Sequence, residues 1–283
     1  MADRHLFVTD LDGTLLTDDR TVSQKDLETL HRLRDNGVVV AAATGRSLYS
    51  FERALAQMQT DTGSFPLDFL IFSTGAGVLR FTGHEIIRHL AISRSDVMRI
   101  TACFEQQCLD YMVHNAIPET HHFLFKSHGR DNPDFFQRIS LYQPFATPMT
   151  PDTPVFESAT QVLAVMPPAV CLTRVARIQQ ELSGYSVVHA TSPLDHRSAW
   201  IEVFHPQASK SIAAAWLAEH LNIPQSRVVA VGNDYNDQDL LAWAGQAFQV
   251  ANAPPALRAG IRLPLSNNHS GVTLAARLAG LLR

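Results

Sequence analysis

Leu6-Phe7-Val8-Thr9-Asp10-Leu11-Asp12-Gly13-Thr14 is the stretch on which the fold turns. Leu6-Phe7-Val8 is an apolar run broken at Asp10, too short for a helix and adequate for a buried strand. Beyond it, residues 23–36 read as a helix. Ser23 and Asp26 make a capping-box-like start, Leu27, Leu30 and Leu33 form the apolar stripe, and Gly37 ends it. Residues 38–43 give the next buried strand, 49–58 a helical stretch and 69–73 a third strand. This alternation predicts an α/β fold with a parallel, doubly wound sheet. The rhythm resumes late in the chain. Residues 209–221 form an alanine-rich helix, 227–231 a buried strand and 238–244 a helical segment; 248–250 and 261–263 are short strands, and 272–282 the last helix.

Between these halves the texture changes. Residues 86–92, 111–114, 162–166 and 185–189 read as strands and 96–107 and 172–182 as helices, while Pro133, Pro144, Pro148, Pro151 and Pro154 mark a loop-rich passage. The expected organisation is a Rossmann-like, mostly parallel core built from residues 1–83 and 193–283, split by an inserted α+β domain over 84–192.

Length and composition agree with this. At 283 residues the chain is long enough for about two domains. Its 46% hydrophobic and 18% charged residues exclude collagen-like and disordered classes. Twenty-three basic against 27 acidic residues give a net charge of −4, with no global basic excess to draw in nucleic acid or an anionic membrane. No run of about 18 apolar residues predicts a membrane span. Cys103, Cys108 and Cys171 are too few and scattered for a disulfide framework, and the odd count favours free thiols in a reducing compartment. Met1 to His5 lack the basic-then-apolar pattern of a signal peptide. The expected location is the cytoplasm; oligomeric state is open.

Four clusters carry the chemistry. Asp10 and Asp12 lie at the end of a buried strand, where doubly wound sheets bind ligands. Two carboxylates so placed repel unless a cation or proton sits between them, and Mg²⁺ suits hard oxygen ligands. The alternative is a polar junction with an Asp-Gly turn. Thr44-Gly45-Arg46-Ser47 joins a strand to a helix and offers backbone N–H groups and a hydroxyl to an anion, or simply a helix cap. Lys210 opens the alanine-rich helix, where a cation opposes the helix dipole; it reaches either an anion in the crevice or solvent. Gly232-Asn233-Asp234-Tyr235-Asn236-Asp237 follows a buried strand and supplies either metal ligands and their partners or an Asx-rich turn. Four such clusters at four strand-end loops in one chain point together to a site.

These residues resemble the haloacid dehalogenase superfamily of phosphatases, in the branch with a large α+β (type IIB) cap. Asp10 to Thr14 match its DxDGT motif in full, Thr44 its hydroxyl motif within Ala-Thr-Gly-Arg, Lys210 its lysine motif, and Gly232 to Asp237 its GDxxND motif imperfectly. The resemblance implies that Asp10 is the nucleophile and Asp12 the general acid and base. It implies Leu11, Thr44, Gly45, Arg46, Lys210 and Asn236 for the substrate, and Asp10, Asp12, Asn233 and Asp237 for Mg²⁺. The implied activity is hydrolysis of a small phosphorylated metabolite, a sugar phosphate in the first instance. Phosphotransfer, as in a phosphomutase, is the second enzymatic reading, and a silent sugar-phosphate-binding regulator the non-enzymatic one. Two departures stand out: Asn233 where the motif has an acid, and Thr74 in Thr74-Gly75-Ala76, where relatives commonly carry Asn.

His114, His121, His122 and His128 cluster in the insert, but their spacing matches no familiar zinc pattern, and the reading assigns them no metal. Cys103 and Cys108 read as packing residues. The aromatic run Phe123, Phe125, Phe135, Phe136, Tyr142 and Phe145 reads as core of the insert.

Overall fold

The computed structural model describes residues 4–58, 65–129, 131–150, 152–168, 172–195 and 197–282. Residues 1–3, Pro151 and Cys171 lie outside them, so the sequence readings that fall there have no structural counterpart. The N-terminal segment holds β1 (Leu6–Asp10), α1 (Gln24–Asp35), β2 (Val39–Ala43), α2 (Leu48–Gln57), β3 (Phe69–Phe72), β4 (Gly77–Arg80) and β5 (Glu85–His89). Next come β6 (Ile92–Ser93), α3 (Arg94–Gln106), β7 (Asp110–Asn115), β8 (Phe123–Lys126), α4 (Pro133–Leu141), β9 (Ala146–Pro148), β10 (Ser158–Met166), α5 (Leu172–Glu181), β11 (Ser186–Thr191) and β12 (Ala199–Phe204). The chain closes with α6 (Lys210–His220), β13 (Val228–Gly232), α7 (Gln238–Trp243), β14 (Gln246–Gln249), β15 (Ile261–Arg262) and α8 (Gly271–Leu278).

Two compact units result, Met1–His89 with Ser209–Arg283, and Leu90–Ala208. The limits differ from the sequence-read 84 and 192 because pairing partners, not local texture, decide them. β5 pairs antiparallel with β4 in the first unit, and β12 lies between β10 and β11 in the second. The stretch read as one strand over 86–92 is thus two, β5 and β6, in different sheets.

The first unit is an eight-stranded sheet in the order β15-β14-β13-β1-β2-β3-β4-β5. From β15 to β3 every pairing is parallel, and β4 and β5 add an antiparallel edge. β1, β2 and β13 are buried along their whole length, which is why they read as unbroken apolar runs rather than alternating ones. On one face Leu6, Val8, Ala41 and Ala230 pack against Ala213, Ala214 and Leu217 of α6 and Leu240 and Leu241 of α7. The alanines of α6 bring its backbone close to the strands. α1 and α8 are joined through polar groups as well. Ser23 caps α1 by accepting from Asp26 N, and the buried Asp26 carboxylate accepts from Thr273 N at 2.8 Å and Thr273 Oγ1 at 2.7 Å.

The second unit is a seven-stranded sheet, β11-β12-β10-β7-β8-β9 with β6 pairing β10. All its pairings are antiparallel except β8 with β9. One face carries Val113, Val162, Ala164, Ile201 and Val203 with Val97, Ile100 and Phe104 of α3; the other carries Met112, Leu163, Val165 and Trp200 with Phe135 of α4. Of the aromatic run, Phe123 and Phe135 are buried core with Phe125 and Tyr142 packed against them, whereas Phe145 lies outside the core clusters and Phe136 is 48% exposed. Cys103 is buried and its thiol donates to Glu181 Oε2, whereas Cys108 is exposed and is not a packing residue. Among the described residues no helix is long and apolar enough to cross a membrane.

Candidate active site

β1 and β13 are neighbours at the place where the strand order reverses: β2 and β3 continue to one side, β14 and β15 to the other. Such a reversal leaves a crevice outside the carboxyl ends of the strands. Asp10 ends β1, Gly232 ends β13, and Thr44 follows β2. Lys210 begins α6, whose cap is Ser209, accepting from Ile212 N at 3.1 Å.

These ends meet at a buried ammonium. Lys210 Nζ donates to Asp10 Oδ1 at 2.7 Å and to Asp237 Oδ1 at 2.6 Å, with all three side chains out of solvent. Burial alone disfavours the ammonium, but Asp10 and Asp237 outweigh it and raise its pKa. Burial pushes the Asp10 carboxyl up to about 7; the charge of Asp237 adds to the rise and Lys210 opposes it. One cation against two anions leaves an excess negative charge in a dry site, which a proton or a second cation relieves.

Asp237 is spoken for on both oxygens. Its Oδ2 accepts from Asn233 N at 2.9 Å and Asp234 N at 3.1 Å, so the carboxylate is turned toward Lys210 and the loop backbone. Gly232 makes that possible: a Cβ there would stand 2.7 Å from the Asp237 carboxyl carbon. Of the residues expected at the metal, Asp237 has its oxygens on Lys210 and the loop amides. It orients Lys210 and shapes the loop.

Asn233 faces the other side of Asp10. With its amide oriented to satisfy its neighbours, Nδ2 donates to Asp10 Oδ2 at 3.1 Å, to the Asp12 main-chain O at 3.1 Å and to Thr14 Oγ1 at 3.0 Å. Gly13 is required beneath it, with φ +73° and an imagined Cβ only 2.5 Å from the Asn233 amide. Three oxygens converging on one donor group form a cation-seeking cluster, and turning the amide over would add its own oxygen. The hard oxygen donors fit Mg²⁺.

Asp12 and Arg46 form a two-pronged ion pair, Nε to Oδ2 at 2.7 Å and Nη2 to Oδ1 at 2.5 Å. Thr44 is buried, and its Oγ1 accepts from Arg46 N at 3.1 Å, tying the loop that carries the arginine. Leu11 has a buried side chain, and its carbonyl accepts from the Leu15 and Leu16 amides at 3.1 and 2.8 Å. Gly45 lies exposed on its loop and Asn236 exposed in the 3-10 turn Tyr235–Asp237.

The sequence does not single out two residues of this loop cluster. Asn252, on the loop after β14, donates to Gly13 O at 2.8 Å and accepts from Asn267 N at 3.1 Å, holding the Asp10–Thr14 loop from outside. The only signal for it is its place after a strand end. Thr14, quoted only as part of a motif, touches Asn233. Thr74 has φ 56° and ψ 29°, the left-handed region where Asn is tolerated and a β-branched residue is strained. Thr74→Asn is expected to raise stability by about 1 kcal/mol, read from urea unfolding midpoints.

The sequence profile of the haloacid dehalogenase-like hydrolase family matches residues 7–275. The chain is 27% identical over 285 residues to YxeH of Bacillus subtilis (strain 168), covering 95% of this chain and 96% of that one. It is also 27% identical over 274 residues to the 5-amino-6-(5-phospho-D-ribitylamino)uracil phosphatase YitU of the same organism, covering 95% and 94%. In fold it is similar to BT1666 of Bacteroides thetaiotaomicron, a phosphatase of the haloalkanoate superfamily. The TM-score is 0.76 at 20% identity, over 98% of this chain and 96% of that one.

Proposed function

Since the chain belongs to the haloacid dehalogenase-like hydrolases, we propose that it is a Mg²⁺-dependent phosphomonoesterase. Its substrate is a small phosphorylated metabolite, a sugar phosphate in the first instance, and the reaction runs through a phospho-aspartyl intermediate on Asp10. The observation that carries this reading is the Asp10 carboxylate, buried at the end of β1 with one oxygen on Lys210 and the other facing Asn233 and the Asp12 carbonyl. YitU bears the name of a phosphatase acting on a phosphorylated ribityl compound.

In this mechanism an Asp10 oxygen attacks phosphorus, and the bond to the leaving alcohol breaks as Asp12 gives that oxygen a proton. Water then attacks the phosphorus of the acyl phosphate, Asp12 takes its proton, and inorganic phosphate leaves with Asp10 restored. Lys210 neutralises the transferring oxygens, and Asp237 keeps Lys210 aimed. The Asp12 carboxylate starts on Arg46. An incoming phosphate competes for the same guanidinium, so binding releases Asp12, which takes up a proton from the substrate phosphate or from water and hands it to the leaving oxygen. Asp10, the Asp12 carbonyl and the Asn233 amide oxygen would hold Mg²⁺, which when bound supplies positive charge to phosphoryl oxygens. Selectivity is assigned to the unit Leu90–Ala208, the segment inserted into the core.

The test is release of inorganic phosphate from a panel of phosphorylated metabolites with Mg²⁺ or with EDTA. Mg²⁺-dependent release supports the reading. Conversion of one sugar phosphate to its isomer without release, or ligand-induced stabilisation with no turnover, overturns it. In the same assay Asn233→Asp is expected to lower the Mg²⁺ concentration for half-maximal rate roughly tenfold, because it adds a charge to the ligand set. An unchanged Mg²⁺ dependence would remove Asn233 from that set.

A further inference from the structure

The clustered histidines His114, His121, His122 and His128 of the inserted unit divide into two pairs with different fates. His114 Nδ1 lies 2.9 Å from Thr120 O in the sheet interior, where burial pushes its pKa down to about 3. His128 Nε2 lies 2.8 Å from Glu105 Oε2. His121 and His122 sit instead on the connection between β7 and β8 and converge on one carboxylate. Their Nε2 atoms are 3.7 and 3.5 Å from Glu119 Oε2, and one ligand atom from each of the three residues lies within 4.8 Å of the others.

The backbone holds this arrangement. Glu119 N donates to Ala116 O, His122 N to Glu119 O and Asn115 N to His122 O, all at 2.8–2.9 Å, which folds residues 115–122 into consecutive tight turns. Thr120 Oγ1 is 3.0 Å from Thr160 Oγ1, tying the same turn to β10. Phe145 packs edge-on against both imidazoles, with ring centroids 4.7 and 4.9 Å away. The three side chains remain open to solvent in part, His121 16%, His122 43% and Glu119 54%.

The distances bear on what holds the three groups together. A charge-assisted hydrogen bond between imidazolium and carboxylate closes to about 2.7–2.9 Å; neither contact does. Nitrogen and oxygen ligands at about 2.0–2.1 Å from a tetrahedral ion stand about 3.3–3.5 Å apart, close to the two histidine–glutamate separations, with all three ligand atoms within 4.8 Å of one another. We propose that Glu119, His121 and His122 form a binding site for a borderline divalent cation, Zn²⁺ by its donor set, with water completing the tetrahedron. Two imidazoles and a carboxylate favour zinc over Mg²⁺, whereas the all-oxygen cluster around Asp10 favours the reverse. The two sites are therefore separable by metal.

The experiment is titration of chelator-stripped full-length protein with Co²⁺ in excess Mg²⁺, read by visible absorption, followed by displacement with Zn²⁺ and by equilibrium dialysis of Zn²⁺ alone. Wild type is expected to take up one equivalent with the intense spectrum of a tetrahedral site, and Asp10→Asn to do the same. His122→Ala and Glu119→Gln, both at solvent-open positions, are each expected to weaken that equivalent at least tenfold while keeping the metal-free far-UV spectrum. Should either fail to fold, the other still decides. Absence of a tetrahedral spectrum in wild type, or equal binding by wild type and the folded variants, overturns the proposal.

Discussion

Lys210→Ala is expected to destabilise the protein by about 3–5 kcal/mol, the usual consequence of removing one partner from a buried charge cluster. The size follows from what is left behind. Asp10 and Asp237 both end on Nζ and both are out of solvent, so removing the ammonium leaves two buried carboxylates facing each other. Lys210→Met keeps most of the packing volume and is expected to lose nearly as much, because charge rather than space is at stake. The loss also has a pH signature. A buried carboxyl deprived of its cation has a folded-state pKa above its unfolded value, so the folded form binds the extra proton and stability falls as pH rises. The deficit relative to wild type is therefore expected to be largest near neutrality and to shrink on acidification. Urea unfolding at a series of pH values measures it. A deficit under about 1 kcal/mol at neutral pH would mean that solvent or another group compensates the pair.

The same cluster shows what a sequence discloses and what it hides. Asp10, Asp12, Thr44 and Lys210 are legible because each sits where local physics disfavours it unless a ligand is near: acids at the end of a buried strand, a lysine against a helix dipole. The strands themselves are legible because burial on both faces leaves unbroken apolar runs. The use of Asp237 is not. A cluster of Asn and Asp announces ligands or a turn equally, and only the Asn233 and Asp234 amides on its Oδ2 decide that it serves Lys210. Nor is the fork from Arg46 to Asp12 legible, since it joins loops 34 residues apart. The limits of the insert are not legible at β5 and β12 for a related reason: a strand's sequence names its faces but not its neighbour. The convergence of His121 and His122 on Glu119 depends on turns that no ligand-spacing pattern describes.

Asp10→Asn separates chemistry from architecture, and is expected to reduce phosphate release by about 10⁴-fold or more, the scale on which removal of a covalent nucleophile is felt. The substitution keeps the shape of the side chain, and its carbonyl oxygen can still accept from Lys210. What it removes is the electron pair that attacks phosphorus and the excess negative charge of the site, leaving Lys210 balanced by Asp237 alone. Stability is expected to move the opposite way. The carboxyl of Asp10 is raised to about 7, chiefly by burial, so wild type loses stability as pH climbs from the ordinary value of 3.8 through 7. The amide has no such titration, and the variant is expected to unfold at the same or higher temperature than wild type at pH 8, with a flatter dependence on pH. An inactive but stable protein is thus the signature of a nucleophile held at a cost to the fold. Activity within tenfold of wild type would assign the attack to another group, and inactivity accompanied by a large fall in melting temperature would make Asp10 a structural partner of Lys210 instead.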